Sequence, residues 1–130
     1  TAQVVKQSSL PVIANGDIRS AQAGRRILNQ SGAAGLMLGR GAINDPLLFA
    51  RLRDPSMPEP TPTQQAATLQ RYMLDLLPRY QELFCGDVQI LNKLKNVLFF
   101  VAAPALAEPV TRLKRCKTLK EFIPIIDRLA

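Results

Sequence analysis

The chain has 130 residues, with 17 Lys or Arg against 10 Asp or Glu, no His, and a formal net charge of +7. This length corresponds to about one small domain, and a hydrophobic content of 47% is typical of folded rather than disordered chains. Without His, these residues cannot form a Ser-His-Asp triad, a Cys-His pair or a His-ligated metal site. The positive charge indicates a polyanionic partner, either nucleic acid or a phosphorylated ligand, although a basic surface that only maintains solubility would have the same composition.

Cysteine usage and hydropathy exclude further classes of protein. Cys85 and Cys116 form no CxxC pair, so we expect two buried, reduced thiols with a structural role, with no metal site and no redox motif. No apolar run reaches the roughly 18 residues that a membrane-spanning helix needs, and the first residues lack the layout of a secretory signal. We therefore expect a cytoplasmic protein with no membrane partner.

A proline-rich segment divides the chain into two parts. Residues 54–63 read DPSMPEPTPT, in which four residues are Pro. This composition favours an extended linker over a helix or a central strand. We therefore predict one part over residues 1–53 and a second part over residues 64–130.

The first part alternates between strand and helix patterns. Two apolar runs are each followed by a glycine-containing turn and then by helix-capping residues. Apolar strands separated by a helix predict a βαβ unit in a parallel sheet, although two strands alone would leave backbone groups unpaired at the sheet edges. In chain order, the predicted elements are a strand over 10–14, a helix over 21–30 capped by Ser20, a strand over 35–39, and a helix from Pro46 capped by Asn44 or Asp45.

The second part is predicted to be helical. Its apolar residues recur at steps of three and four, which is helical spacing. In the most regular segment the apolar and polar side chains separate into two arcs, except that Phe99 and Phe100 fall on the polar side. The predicted helices cover 66–84, kinked or split at Pro78; 88 to about 101; and a last segment that begins after Thr118, with Glu121 at capping-box spacing.

Glycine-rich turns follow both predicted strands. Asn15-Gly16-Asp17 follows the first strand, and Gly39-Arg40-Gly41 follows the second. Glycine allows a close backbone approach to a ligand, and the free N–H groups at the start of the next helix can hold a phosphate. In (β/α)₈ barrels, the turns after the last two strands are a frequent phosphate site. The turns therefore suggest a phosphate site to which Arg40 adds charge; two ordinary βα turns are the alternative.

Positive charge is concentrated in the second part. Residues 88–120 carry a net +6 of the chain's +7, and the run RLKRCKTLK over 112–120 contains five cations and no anion. Such a cluster fits binding to the phosphate backbone of a nucleic acid, whereas a solvated helix face is the simpler alternative. The candidate phosphate-binding residues are Lys93, Lys95, Arg112, Lys114 and Arg115.

No catalytic residue is assigned within the chain. Asp17 and Asp45 both lie near strand ends, but Asp45 is predicted to cap a helix, and Asp17 to serve in a turn or to orient a ligand. Neither Cys85 nor Cys116 has an activating neighbour, so both are interpreted as structural.

Three segments in the first 53 residues occur in a specific order. They are PVIANGDI at 11–18, SGAAGLMLGRGA at 31–42, and Asp45-Pro46 with Phe49. In this order they closely resemble the bacterial tRNA-dihydrouridine synthases. The segment ILNKLKNVL at 90–98 is more loosely similar to a basic helix in the C-terminal domain of that family.

This resemblance implies an α/β fold, the C-terminal piece of a (β/α)₈ TIM barrel, followed by an all-α domain that binds tRNA. The family uses NADPH to reduce FMN, and reduced FMN then reduces the C5–C6 double bond of a uridine in tRNA. Residues 1–53 would be the last two barrel strands, 54–63 the linker and 64–130 the tRNA-binding domain. By the same resemblance, the FMN phosphate would be bound by Asn15, Gly16, Asp17, Gly39 and Arg40.

The resemblance also implies that the catalytic Cys and the other FMN contacts belong to earlier barrel strands. The chain would then be the C-terminal portion of such an enzyme, and we expect no synthase activity from these 130 residues alone. Two alternatives stay open. One is a non-catalytic RNA-binding module that uses only the basic helical domain. The other is a different FMN-dependent barrel oxidoreductase acting on a small molecule, which the basic helical part disfavours.

Overall fold

A computed structural model describes all of residues 1–130. They form two compact units, Thr1–Glu59 and Pro60–Ala130. Most of the chain is α-helical, and the β-structure is one two-stranded parallel sheet in the first unit. None of the helices combines the length and the apolar character that crossing a membrane requires. No group of three or more His, Cys, Asp or Glu side chains is arranged to hold a metal ion.

The first unit is built around a strand–helix–strand element. Its elements in chain order are α1 (Ala2–Gln7), β1 (Ile13–Asn15), α2 (Ala21–Ser31), β2 (Gly35–Met37), α3 (Arg40–Asn44) and α4 (Leu48–Arg53). The strands β1 and β2 pair in parallel, with Ile13 opposite Gly35 and Asn15 opposite Met37. The predicted βαβ order is therefore confirmed.

Both strands are shorter than predicted, and two short helices lie outside the predictions. Asn15, which was expected to begin a turn, is the last residue of β1, and β2 ends at Met37 instead of Gly39. The helices α1 and α3 have six and five residues, too few to show a helical period in the sequence. As a result, α3 occupies a segment in which the sequence showed only a glycine turn.

Close packing at a glycine holds α3 against the segment after β1. A Cβ atom at Gly41 would lie 1.9 Å from the carbonyl oxygen of Ile18, so only glycine fits at this position. The helix α2 begins as predicted, because the Ser20 hydroxyl accepts a hydrogen bond from the Ala23 N–H at 3.1 Å. The buried apolar side chains of this unit are Ala14, Ile18, Ala21 and Leu48.

A buried arginine organises the end of the first unit. The side chain of Arg51 on α4 is 5% exposed and forms an ion pair with Asp45. Its Nε also donates a hydrogen bond to the Pro58 carbonyl at 3.2 Å, so it ties the proline-rich segment to α4. Asp45 is not the helix cap that the sequence predicted, because the N-cap of α4 is Leu47 and no side chain caps the helix. The Asp45 carboxylate instead accepts a hydrogen bond from the Leu47 N–H at 3.0 Å, in the turn before α4. The helix begins at Leu48, two residues after the predicted start at Pro46.

The second unit is all-helical and contains a larger apolar core. Its elements are α5 (Pro62–Leu83), α6 (Asp87–Leu98), a 3₁₀ turn (Pro104–Leu106), α7 (Ala107–Arg115) and α8 (Leu119–Asp127). The apolar arc of α6 supplies four buried residues, and α5, α7 and α8 pack around it. The core consists of Leu69, Met73, Ile90, Leu91, Leu94, Leu98, Val101, Leu106, Val110, Leu113, Cys116, Leu119, Phe122 and Ile126.

The first helix of this unit is longer than predicted. A capping box between Thr61 and Gln64 starts α5 at Pro62, inside the segment predicted as linker. The helix then continues past Pro78, so a split at this residue, one of the two predicted interruptions, is wrong. Pro78 removes one backbone hydrogen bond, but Leu76 and Leu77 pack against the core beside it and keep the helix together.

The later helices differ from the predictions mainly at their ends. The helix α6 ends at Leu98, three residues before the predicted end at Val101. The sequence did not predict α7, because the segment was interpreted as a charged run and because the first turn of the helix contains a proline. The last helix begins as predicted, because the Thr118 hydroxyl accepts a hydrogen bond from the Glu121 N–H at 3.2 Å.

The two cysteines are free thiols in different surroundings. Cys116 is buried in the core of the second unit, as expected. The expected burial of Cys85 is wrong, because Cys85 lies in the short segment between α5 and α6 and is exposed. Burial raises the pKa of the Cys116 thiol above its ordinary value. The interpretation of Cys116 as a structural residue agrees with this position.

Replacing the partner of the buried arginine tests the packing of the first unit. Asp45→Asn would leave the Arg51 guanidinium buried without a countercharge, and we expect a loss of about 3 kcal/mol or more in the free energy of unfolding. The measurement is urea denaturation followed by circular dichroism. The matched control is Asp54→Asn, at an exposed carboxylate on the same segment, which should leave the midpoint nearly unchanged. Equal effects of the two variants would contradict the role given to Arg51.

The core of the second unit is tested at the helix α7. Leu113 is fully buried, so Leu113→Ala should lower the free energy of unfolding by about 2–5 kcal/mol through lost contacts and a cavity. The control is Leu83→Ala, whose side chain is 72% exposed and which should change stability by less than about 0.5 kcal/mol. Chemical denaturation of both variants measures the difference, and a Leu113→Ala protein as stable as the control would refute this packing.

Candidate functional site

The turns after the two strands lie at one edge of the sheet. We call Asn15, Gly16, Asp17, Gly39 and Arg40 the strand-end cluster. Because β1 and β2 are parallel, their carboxyl ends point to the same edge, and the segments that follow them meet there. An Arg40 Nη2 lies 3.3 Å from an Asp17 carboxylate oxygen, so the structure joins the two predicted turns through an ion pair.

The glycines of the strand-end cluster leave open space. A Cβ atom built at Gly16 or at Gly39 would meet nothing within 4 Å. Gly39 directly precedes α3, and its carbonyl accepts a hydrogen bond from the Ala42 N–H at 3.0 Å. Asn15 differs from the other four residues, since it lies within β1 and pairs with Met37 of β2. A ligand could therefore approach the backbone at both glycines.

The charges of the strand-end cluster form a small network. Asp17 accepts a hydrogen bond from the Arg19 Nε at 3.0 Å, and it also pairs with Arg40. The hydrogen bond from Arg19 holds the pKa of Asp17 below its ordinary value, and the positive charges of Arg19 and Arg40 act in the same direction. Asp17 is therefore ionised at neutral pH. Both arginine side chains are about half exposed, at 48% and 59%.

This donor set fits a phosphate group. Two half-exposed guanidinium groups near backbone that is open at two glycines suit a phosphate. An ionised carboxylate cannot donate a hydrogen bond to a phosphate, so Asp17 fits the role of orienting Arg19 and Arg40 or of accepting from a ligand hydroxyl. Sequence reasoning missed Arg19; its position two residues after Asp17 was the available signal.

The basic residues of the second unit lie on two helices that pack together. We call Lys93, Lys95, Arg112, Lys114 and Arg115 the basic cluster. The first two lie on α6 and the other three in the last turn of α7. Cations are favourable at a helix C-terminus because they complement the helix dipole. The end of α7 therefore stabilises the positive charges that it carries at the surface.

The structure gives the members of the basic cluster different partners. The Lys95 ammonium donates a hydrogen bond to the Cys116 carbonyl and so joins α6 to the end of α7. Arg112 faces Glu108 within α7 at 3.8 Å, in an exposed pair that contributes little to stability. Arg115 is exposed and forms no ion pair. Lys95 is therefore used in packing, whereas Arg112 and Arg115 remain open to an anionic ligand.

Two lysines of the basic cluster lie over phenylalanine rings. The Lys93 Nζ is 5.0 Å from the ring centroid of Phe84, and the Lys114 Nζ is 4.8 Å from that of Phe99. These distances are typical of cation–π contacts. The sequence pattern predicts Phe99 on the polar side of α6, but only the packing of α6 on α7 shows which lysine lies over its ring.

Comparisons with known proteins agree on one family. The family model described as dihydrouridine synthase (Dus) matches residues 1–122. A tRNA-dihydrouridine synthase B of Pseudomonas syringae is 37% identical over 90 residues, which cover 68% of this chain and 26% of that protein. A probable tRNA-dihydrouridine synthase of Rhodobacter capsulatus is 49% identical over 57 residues, 38% of this chain and 18% of the relative. A probable tRNA-dihydrouridine synthase of Helicobacter pylori is 29% identical over 117 residues, 87% of this chain and 34% of the relative.

The extent of these matches decides what they establish. The chain spans between about a fifth and a third of the length of these curated relatives. The family match nevertheless includes the strand-end cluster, the basic cluster and nearly all of the helices between and around them. From its sequence over residues 1–122, this chain therefore belongs to the dihydrouridine synthase family.

Proposed function

We propose that this chain acts as part of a tRNA-dihydrouridine synthase, which reduces the C5–C6 double bond of a uridine in tRNA with FMN and NADPH. The observation that carries the proposal is the family match over residues 1–122. The names of the relatives support tRNA as the substrate. The two units would then divide the work between cofactor binding and tRNA binding.

In this proposal the first unit is the end of a TIM barrel. Its parallel strands and connecting helix support this assignment, because a parallel βαβ element is the repeating unit of such barrels. Residues 1–53 would supply the last two barrel strands, and the segment from 54 would lead to the helical domain, whose first helix starts at Pro62. The apolar side chains of Ile13 and Met37 are exposed on this sheet, as expected if further elements of a barrel pack against it.

The strand-end cluster would hold the phosphate of FMN. Arg40 would neutralise the phosphate charge, with Gly16 and Gly39 allowing the backbone to approach it and Asn15 ending the strand beside it. Asp17 would keep Arg40 in place through their ion pair. When bound, FMN supplies the two-electron chemistry that reduces the uridine. The uridine must leave its stacked position to reach such a site.

The second unit would hold tRNA through phosphate contacts. Arg112 and Arg115 are exposed, and Lys93 and Lys114 lie beside aromatic rings at the surface. Lys95 would contribute by orienting α7 and by adding positive charge. Recognition of folded RNA by shape and phosphates needs such a spread of cations.

The cofactor proposal is tested by comparing FMN with riboflavin, which lacks the phosphate. Flavin fluorescence titration should show tighter binding of FMN, and inorganic phosphate should compete with it. Arg40→Ala should lower FMN affinity at least about tenfold, the value of one charge-assisted hydrogen bond, while riboflavin affinity stays the same. Arg26→Ala, at an exposed arginine of α2, is the control. Equal affinity for FMN and riboflavin in the unaltered chain would contradict the assignment of the strand-end cluster.

The tRNA proposal is tested by the salt dependence of binding. Each lost phosphate contact reduces the slope of log K against log salt by about one. The double variant Arg112→Ala/Arg115→Ala should therefore weaken binding of an unmodified tRNA transcript and flatten this slope by about two. Fluorescence anisotropy at several salt concentrations measures both quantities.

A matched double variant on α5 is the control for this measurement. Arg71→Ala/Arg79→Ala removes the same charge from exposed positions outside the basic cluster, and it should leave the slope nearly unchanged. An equal decrease in both double variants would show that net charge alone determines binding.

A further inference from the structure

An aromatic side chain at the end of α6 is not used in the core. Phe99 follows the last residue of the helix and is 68% exposed. Its neighbours Leu98 and Val101 are both buried, so the chain at this point packs into the core without the Phe99 ring. Exposing a phenylalanine forgoes the stabilisation that burial of its apolar surface would provide. The folding of the unit therefore does not explain Phe99.

Charge surrounds this exposed ring. The Lys114 ammonium lies 4.8 Å from the ring centroid. The other face of the ring has no aromatic partner, and Arg115, the next residue after Lys114, is exposed. The surface therefore presents a flat apolar ring next to a cation, which is the combination that proteins use to bind an unpaired nucleotide.

The second lysine–phenylalanine pair of the unit serves as an internal comparison. Phe84 is partly buried against the core, and its ring packs edge-on against Tyr80 at a centroid distance of 5.6 Å. Lys93 therefore covers a ring that already has a structural role. The Phe99 ring likewise has a lysine over it, but it does not pack against the core. Its surface is therefore open to a ligand.

We propose that Phe99 and Lys114 form a binding site for one unpaired nucleotide of RNA. The base stacks on the open face of Phe99, and the Lys114 ammonium binds the adjacent phosphate. The bases of a duplex are stacked and paired, so the ring recognises a nucleotide in a loop or at an end. This inference rests on the proposed binding of tRNA by the second unit, and it adds a contact that does not depend on charge alone.

The test compares two RNA probes with the full 130-residue chain. One is an unmodified tRNA transcript, which contains loops, and the other is a blunt RNA duplex with no unpaired base. Phe99→Ala should weaken tRNA binding about tenfold, as expected for the loss of one stacked base. The salt slope should stay as in the unaltered chain, and duplex binding should not change.

Substitutions at the same position separate stacking from simple apolar contact. Phe99→Trp should retain the tRNA affinity, whereas Phe99→Leu should lose as much as Phe99→Ala because it lacks a π-face. Lys114→Ala should lower the salt slope by about one. Leu83→Ala, at a side chain 72% exposed in the same unit, should change nothing. Circular dichroism of each variant checks that it is folded, which the exposure of Phe99 leads us to expect.

Several results would overturn the proposal. They are unchanged tRNA affinity in Phe99→Ala, full affinity in Phe99→Leu, or an equal loss on the duplex. If the unaltered chain binds tRNA with a steep salt dependence but Phe99→Ala has no effect, only the nucleotide site fails. If the unaltered chain does not bind tRNA at all, the proposed function of the second unit fails and the nucleotide site fails with it.

Discussion

The parallel pairing of β1 with β2 is the constraint on which the strand-end cluster depends. Parallel strands must be joined by a crossover, here α2, and both then end at the same edge. This geometry brings Asp17 and Arg40 into an ion pair although they lie in different turns. Gly41 contributes a second constraint, because its lack of a side chain lets α3 approach the Ile18 carbonyl. The backbone thus brings the two turns together at the edge where we propose the phosphate site.

The second unit follows from a different constraint, the burial of the apolar arc of α6. Burying this arc forces the polar arc outward, and it places the end of α6 beside the end of α7. At that junction Lys95 points inward to the Cys116 carbonyl, while Lys114 lies over the Phe99 ring. Residues of the same type and in the same cluster therefore have different physical roles, which depend on the partner that packing provides.

The two proposed sites would bind phosphate in different ways. In the strand-end cluster, a few oriented groups around open glycine positions suit one phosphate of a small ligand. The basic cluster is spread along two helices and suits a repeating backbone, in which many weak contacts add up and respond to salt. The acidic residues also differ. Asp17 holds two arginines in place, whereas Glu108 forms only a weak, exposed ion pair with Arg112.

The sequence by itself determined the features that depend on neighbouring residues. The cap at Ser20, the capping residue Thr118 and the apolar arc of α6 each lie within a few positions, so local patterns predicted them. The order of strand, turn, helix and strand likewise indicated where the strand-end cluster would be.

Only the tertiary structure decided the features that depend on distant residues. Arg51 is buried because Asp45 and the Pro58 carbonyl surround it, and nothing in its local sequence distinguishes it from an exposed arginine. The continuation of α5 through Pro78 depends on core contacts that outweigh a missing hydrogen bond. The pairing of Lys114 with Phe99 depends on how α7 packs on α6. A sequence pattern records which residues are near in the chain, whereas burial and charge pairing are set by those that folding brings near in space.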